Sequence, residues 1–395
     1  MGSKRTMLQN GLGKVLLQEI SGATRFVDLF AGSGSVAIFV AQKFEIPVLA
    51  FDLQEYSVIL TAAIISRNAK LDWLPIWKRW LQRATTQYRS HRIPKAEFLT
   101  QKLIHDLRIW CDKQTDLPIT KAYGGHYFSP RQAVWIDALR ATLPKELSSK
   151  KVALAALIQA ASRCAAAPGH TAQPFQPTRT AKRFIKEAWD LDVVEKTKTA
   201  FELLATQSAN KVGKAEVADA NKAVKKLRSG DLVFLDPPYS GVHYSRFYHV
   251  LETIAKGSCG EVTGVGRYPA SELRPRSKYS VSSESAKALE DLFKSIALHS
   301  ATAIVTFPDH VCSNGLSGKL VREIASKYFQ IREQLVTSKF STLGGTGDER
   351  GNEAGRSARQ HANELILVLT PKARDQILLS LGPATPTPSD TPQRT

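Results

Sequence analysis

Residues 25–44 read RFVDLFAGSGSVAIFVAQKF. RFVDLF is short, apolar and closed off by glycine, the pattern of a strand buried on both faces. AGSGS turns the chain, and the rest continues as a helix. IPVLAFD (46–52) is a second buried strand, and QEYSVILTAAIISRNAK (54–70) a second helix with apolar residues at helical spacing. Strand, helix, strand, helix predicts an α/β fold built on a parallel sheet. Gly32 and Gly34 sit where the first strand turns into its helix; glycine permits that turn and lets a ligand approach the backbone closely. Asp52 closes the second strand, where a carboxylate can accept hydrogen bonds from a ribose. The pattern also fits G-x-G-x-x-A, with Ala37 in third place. It points to an adenosine-containing cofactor without saying which one, and a purely structural glycine turn remains the plain alternative.

The alternation breaks after residue 70. Residues 71–210 read as mostly helical and are expected to form an insertion. WLPIWKRWLQRATTQYRSHR (73–92) interleaves tryptophan with arginine. It suits DNA phosphates and bases, or equally a helix with a tryptophan core face and a basic solvent face. SPRQAVWIDALRATL (129–143) starts a helix, with Ser129 as N-cap and Pro130 at the first helical position. Strands return at KAEVAD (214–219), DLVFLD (231–236), ATAIVTF (301–307), FQIREQLV (329–336) and NELILVLT (363–370). The expected organisation is residues 1–70 as the first part of a catalytic domain, 71–210 as a helical target-recognition insertion, 211–381 as its second part, and 382–395 as a disordered tail. The Gly-rich stretch 341–356 reads as a mobile loop.

The 395 residues carry 54 Lys plus Arg against 36 Asp plus Glu, a net charge of +18. Residues 71–230 hold 28 basic and 14 acidic residues, so most of the excess sits mid-chain. A localised basic region is the footprint of a polyanion partner. No apolar run reaches the roughly 18–20 residues needed to span a bilayer, and the N-terminus lacks a secretory apolar stretch. Cys111, Cys164, Cys259 and Cys312 lie far apart, so no CxxC motif exists. They are expected to be reduced thiols of a cytoplasmic protein without a metal.

LVFLDPPYS (232–240) carries the chemistry. It places Asp236, Pro237, Pro238 and Tyr239 at the end of a buried strand, where ligands bind in open α/β sheets. Prolines fix φ and remove backbone donors, so their carbonyls hold one direction. A carboxylate, a fixed carbonyl and a flat aromatic face suit an amino group on an aromatic ring. No cysteine follows a proline, which argues against attack on cytosine C5. GVHYSRFYHVLETIAKG (241–257) continues as a helix, whose His243, Tyr244, Arg246 and His249 are either base and phosphate contacts or solvated or packed helix residues. RYPASELRPRSKYS (267–280) is a second basic candidate.

VDLFAGSGS, Asp52, the strand running to Asp219 and LDPPYS together resemble the S-adenosylmethionine-dependent amino-methyltransferases. Their order is similar to that of the Dam-type, class alpha DNA adenine-N6 methyltransferases. YFSPRQAVWIDALR (127–140) also resembles a segment preceding the Asp-Pro-Pro-Tyr motif in that group. The resemblance implies a Rossmann-like methyltransferase sheet with an inserted helical target-recognition domain. It implies S-adenosylmethionine as cofactor, with Phe30, Gly32 and Gly34 cradling it. Asp28 would face its ammonium, Asp52 its ribose and Asp219 its adenine, although Asp219 also suits a helix N-cap. Lys14 of NGLGK stands where the group shows a Gly-Gly-Lys triplet, and would be a further cofactor contact. Asp236 to Tyr239 would hold an extruded adenine in double-stranded DNA. A monomer is expected, in a restriction-modification or epigenetic-marking role, and the sequence leaves open whether a cognate restriction endonuclease accompanies it. An RNA amino-group methyltransferase and an inactive DNA-binding regulator remain as alternatives.

Overall fold

The computed structural model describes residues 4–95, 99–338 and 362–379. The Gly-rich stretch 341–356 and the tail 382–395 lie outside them. Seven strands form one sheet: β1 (Arg25–Asp28), β2 (Val48–Asp52), β3 (Lys214–Val217), β4 (Asp231–Leu235), β5 (Thr302–Pro308), β6 (Phe329–Ser338) and β7 (Ala362–Pro371). Their order across the sheet is β3-β2-β1-β4-β5-β7-β6. β1 to β5 run parallel, as the strand–helix alternation predicts. β7 runs antiparallel to both β5 and β6. The parallel expectation therefore stops at β5. β6 and β7 follow one another without a crossover helix among the described residues, and strands joined that way pair antiparallel.

Both faces of the central strands are covered. Phe26, Ala50, Leu232, Phe234 and Ile304 face one side, against helix α1 (Ser35–Lys43) and the N-terminal helix Gly13–Glu19. Val27, Leu29, Val233, Leu235 and Val305 face the other, against a helix at Ser285–Leu298 and another at Gly318–Tyr328. This period-two alternation between two apolar faces explains why the strands read as continuous apolar runs.

Helix α2 (Glu55–Ile65) is buried almost all round. Its Ile65 belongs to the sheet-side core, whereas Leu60, Ala63 and Ile64 face a large helical layer. That layer contains α3 (Trp73–Arg89), α4 (Gln101–Asp112), α5 (Pro118–Tyr123), α6 (Pro130–Ala141), α7 (Leu147–Cys164), α8 (Lys182–Trp189) and α9 (Val193–Ala205). Trp77, Trp80, Tyr123, Tyr127 and Phe201 share its core with Leu251 and Ile254 of α10 (His249–Lys256). The helices between β2 and β3 are thus seated on the sheet through α2 and α10. Ser129 caps α6 in a full capping box with Gln132, and Pro130 opens the helix. The four cysteines are free and buried. No described helix is long and apolar enough to cross a membrane.

Candidate active site at the carboxyl rim of the sheet

Strand order reverses between β1 and β4, since β2 lies beyond β1 and β5 beyond β4. Such a reversal opens a crevice at the carboxyl ends of the strands. Register decides what lines it. Asp28 pairs with Phe234 on β4 and with Ala50 on β2. Two residues further on, Phe30, Asp52 and Asp236 reach the same level of the rim. Thr302 pairs with Leu232, which brings Thr306 of β5 level with Asp236.

The β1 side is built from backbone donors and buried carboxylates. Asp28 is buried, and its Oδ1 accepts the Phe30 N–H at 3.1 Å. Burial raises its pKa to about 8; the Phe30 bond pulls it down, and the charges of Asp236 and Asp52 push it further up. Asp52 accepts the Gly32 N–H at 2.8 Å and the Gln54 N–H at 2.9 Å, which ties the glycine turn to the end of β2. Its pKa is also raised by burial, against those two bonds. Gly32 has φ +52° and Gly34 φ +75°. A Cβ on Gly34 would stand 2.5 Å from Thr61 Oγ1, so α2 can approach only a glycine there. A Cβ on Gly32 would meet nothing nearer than the Phe30 carbonyl, 3.9 Å away. The space over the turn is open to a ligand.

The β4 side is built around Asp236. Its Oδ1 accepts the Thr306 hydroxyl at 3.0 Å and pairs with Lys4 Nζ at 3.0 Å. Lys4 also pairs with Glu364 on β7. Burial opposes the ammonium, but the charges of Asp236 and Glu364 outweigh it and raise the Lys4 pKa. Burial pushes Asp236 upward, and Lys4 draws it back part of the way. Buried Asn314 donates to the Pro238 carbonyl and to the Tyr279 carbonyl, both at 2.9 Å, and so fixes the loop after β4. The Tyr239 ring stands edge-on to Phe307 at 6.5 Å and its hydroxyl bonds Tyr244. Burial, then the charge of Asp236, raises the Tyr239 pKa, so its ring stays neutral.

A family model for D12 class N6 adenine-specific DNA methyltransferases matches residues 1–307. The chain belongs to the D12 class N6 adenine-specific DNA methyltransferase family. Modification methylase LlaI of Lactococcus lactis subsp. lactis is 25% identical over 314 residues, 75% of this chain and 44% of that protein. Type II methyltransferase M.FokI of Planomicrobium okeanokoites is 26% identical over 272 residues, 67% of this chain and 38% of the relative. Type II methyltransferase M.NlaIII of Neisseria lactamica is 26% identical over 284 residues, 68% of this chain and 71% of the relative. The chain thus spans less than half the length of the first two.

In this D12-family chain, Asp28, Phe30, Gly32, Gly34, Asp52 and Asp236 to Tyr239 gather at one rim. Lys14 does not join them. It is exposed on Gly13–Glu19, a helix that turns Val15 and Leu16 inward and leaves Lys14 on the solvent side. The lysine that meets Asp236 is Lys4, ten residues earlier. Its signal was available as Gly2-Ser3-Lys4, a Gly-x-Lys spelling at the start of the chain. Asp219 caps the short helix Ala220–Ala223 by accepting the Asn221 N–H at 3.0 Å. Phe30 packs edge-on against Tyr279 at 5.0 Å, and Tyr279 donates to Asn221 Oδ1 at 2.7 Å. His249 is a packed residue, with Nε2 2.8 Å from the Gly266 carbonyl; burial lowers its pKa to about 4. On α3, Trp77 and Trp80 are core, and Trp80 donates to the Leu139 carbonyl at 3.0 Å. Lys78, Arg79, Arg83 and Arg89 lie on its exposed face. Sequence reading missed Lys4, Glu364, Thr306 and Asn314 entirely.

Proposed function

We propose that this chain transfers a methyl group from S-adenosylmethionine to the N6 amino group of adenine in double-stranded DNA. One observation carries the reading: a buried carboxylate with no cation in its described contacts, Asp28, lies one strand away from the Asp-Pro-Pro-Tyr loop at the switch point of the sheet. Bound S-adenosylmethionine supplies an electrophilic methyl on a sulfonium. The residues suit it. Asp28 offers an anion to its ammonium, Asp52 has lone pairs left for ribose hydroxyls, and the Gly32 turn leaves room. Asp219 lies beyond β3 on the adenine side of that order.

An adenine N6 lone pair is delocalised into the ring and is a poor nucleophile. Hydrogen bonds from N6–H to Asp236 and to the Pro237 carbonyl pull the nitrogen toward tetrahedral geometry and free the lone pair for in-line attack. The N–C bond would form as the sulfonium C–S bond breaks, leaving a neutral thioether, and the surplus N6 proton would pass to solvent. The gain is positional and electrostatic. Lys4 and Thr306 orient the Asp236 carboxylate and draw its burial-raised pKa back part of the way, and Asn314 keeps the proline carbonyls aimed. The base must leave the duplex to reach this loop. Tyr239 then stacks on it, worth about 1–3 kcal/mol. The helices between β2 and β3 serve as the target-reading part. The relatives carry modification-methylase names, so we place the chain in restriction-modification, acting in the cytoplasm as a monomer beside a cognate endonuclease.

The test is methyl transfer from labelled S-adenosylmethionine to unmethylated genomic DNA and to total RNA, with nucleoside mass spectrometry. N6-methyldeoxyadenosine is expected. Label confined to RNA or to cytosine overturns the reading.

A further inference from the structure

The loop beyond the Asp-Pro-Pro-Tyr motif gathers three arginines that α3 and the sheet do not explain. Tyr244, whose hydroxyl bonds Tyr239, is followed two residues later by Arg246. The Arg246 guanidinium lies over the Tyr268 ring, 4.8 Å from its centroid, and that of Arg274 lies 5.6 Å from the same centroid. Tyr268 is itself fixed. Its hydroxyl donates to the Ala172 carbonyl at 2.5 Å, its ring rests against His249 at 4.8 Å, and Gly266 leaves no space for a Cβ beside it. His243 joins the group: its Nδ1 accepts the Ser277 N–H at 3.3 Å, so the proton of the neutral ring sits on Nε2 as a donor. Arg276 and Arg274 act on His243 electrostatically.

Like charges held together need a reason. Among the described residues, none of the three guanidiniums makes an ion pair. Glu272, in the same loop, accepts the Ser271 hydroxyl and feels the charges of Arg274 and Arg276, but forms an ion pair with neither. Arg274 Nε is buried without a hydrogen-bond partner, a donor left unsatisfied inside the cluster. Arg267, in the same stretch, is the opposite case. It pairs with Asp112 at 2.7 Å and donates to the Lys121 and Ala122 carbonyls, both at 2.8 Å, so it ties the short hairpin Val262–Pro269 to the helical layer.

We infer that Arg246, Arg274 and Arg276, arrayed around Tyr268 with His243, form a binding site for a DNA backbone phosphate, the one adjoining the extruded adenine. The inference rests on the DNA reading above. The site lies next to the loop that would hold the base, and an extruded nucleotide must turn about its own phosphates, so a clamp there holds the open state. Backbone contacts of this kind position the duplex and carry no sequence information.

The experiment compares wild type with the double variant R246Q/R276Q, both positions being exposed, and with K287Q, an exposed lysine paired with Asp291 on another helix. Duplex affinity is measured across a salt series, and methyl transfer as KM for DNA and single-turnover rate at saturating DNA. The double variant should lose about one unit of the slope of log affinity against log salt, the loss expected for one phosphate. Its KM for DNA should rise roughly tenfold. Cofactor affinity and the saturated rate should hold within about twofold, and K287Q should match wild type. A double variant with unchanged slope and KM, in a protein whose wild type methylates DNA, overturns the phosphate site alone. A wild type that neither binds nor methylates DNA overturns the underlying reading and the site with it.

Discussion

Asp28 and Asp236 close adjacent parallel strands and are both largely removed from water, and the charge of Asp236 opposes ionisation of Asp28. They are treated differently by the rest of the chain. Asp236 is given an internal cation, Lys4, and a hydroxyl, Thr306. Asp28 is given one backbone N–H and two neighbouring negative charges, and its pKa climbs to about 8. A carboxylate already neutralised is suited to accept hydrogen bonds from a neutral amine. A carboxylate left without a cation is suited to wait for one. On the proposed function, two residues of the same type, on neighbouring strands, would serve the cofactor and the base.

The sharpest break of that comparison is Asp236→Ala. Single-turnover methyl transfer should fall by about 10²–10³ or more, as when a positioned transition-state contact is removed, while cofactor affinity stays within about twofold. Asp28→Asn should do the reverse, weakening S-adenosylmethionine by roughly 10–100-fold, the worth of about one to two pKa units of charge interaction. The pH dependence follows from its sign. Asp28 is protonated in the free native protein below pH 8, whereas an unfolded aspartate ionises near its ordinary value. The folded state therefore binds the extra proton, and the stability this group contributes falls as pH rises toward 8. A cationic ligand must expel that proton. Calorimetry in buffers of different ionisation enthalpy at pH 7 should show close to one proton released on binding, and none in Asp28→Asn.

Gly34→Ala should cost about 1–3 kcal/mol in denaturant unfolding, since φ is +75° and Thr61 blocks the Cβ. Gly32→Ala meets open space and keeps only the strain of φ +52°, so it should weaken the cofactor more than it destabilises the fold. Glu364→Gln is the smallest expected effect. It removes the second carboxylate that anchors Lys4, so Lys4 is less well fixed against Asp236, and the saturated rate should drop by at most roughly tenfold with cofactor affinity unchanged. A kcat unchanged in that variant would reduce Glu364 to a purely structural partner.

Much of this rim was legible in the sequence. Strands buried on both faces spell themselves as apolar runs, and a glycine turn and Asp-Pro-Pro-Tyr mark strand ends that bind ligands. The rest needed the third dimension. Lys4 and Glu364 are 360 positions apart and meet only because β7 inserts beside β5. The reversal of β6 and β7 depends on which strand slots between which, and apolar runs do not encode that. Lys14 drew attention by its glycine neighbours, yet the inward turn of Val15 and Leu16 sends it to solvent. On α3, tryptophans and arginines alternate in the chain, but only burial could tell that Trp77 and Trp80 are core and that the basic face is what remains for a partner.

The most direct test measures S-adenosylmethionine affinity and saturated single-turnover methylation of DNA side by side for Asp28→Asn and Asp236→Asn. The account predicts a crossed result: Asp28→Asn loses affinity at least about tenfold, and Asp236→Asn keeps affinity while its rate falls at least about a hundredfold. Parallel losses in both variants, or a rate retained by Asp236→Asn, would contradict the division of labour between the two strand ends.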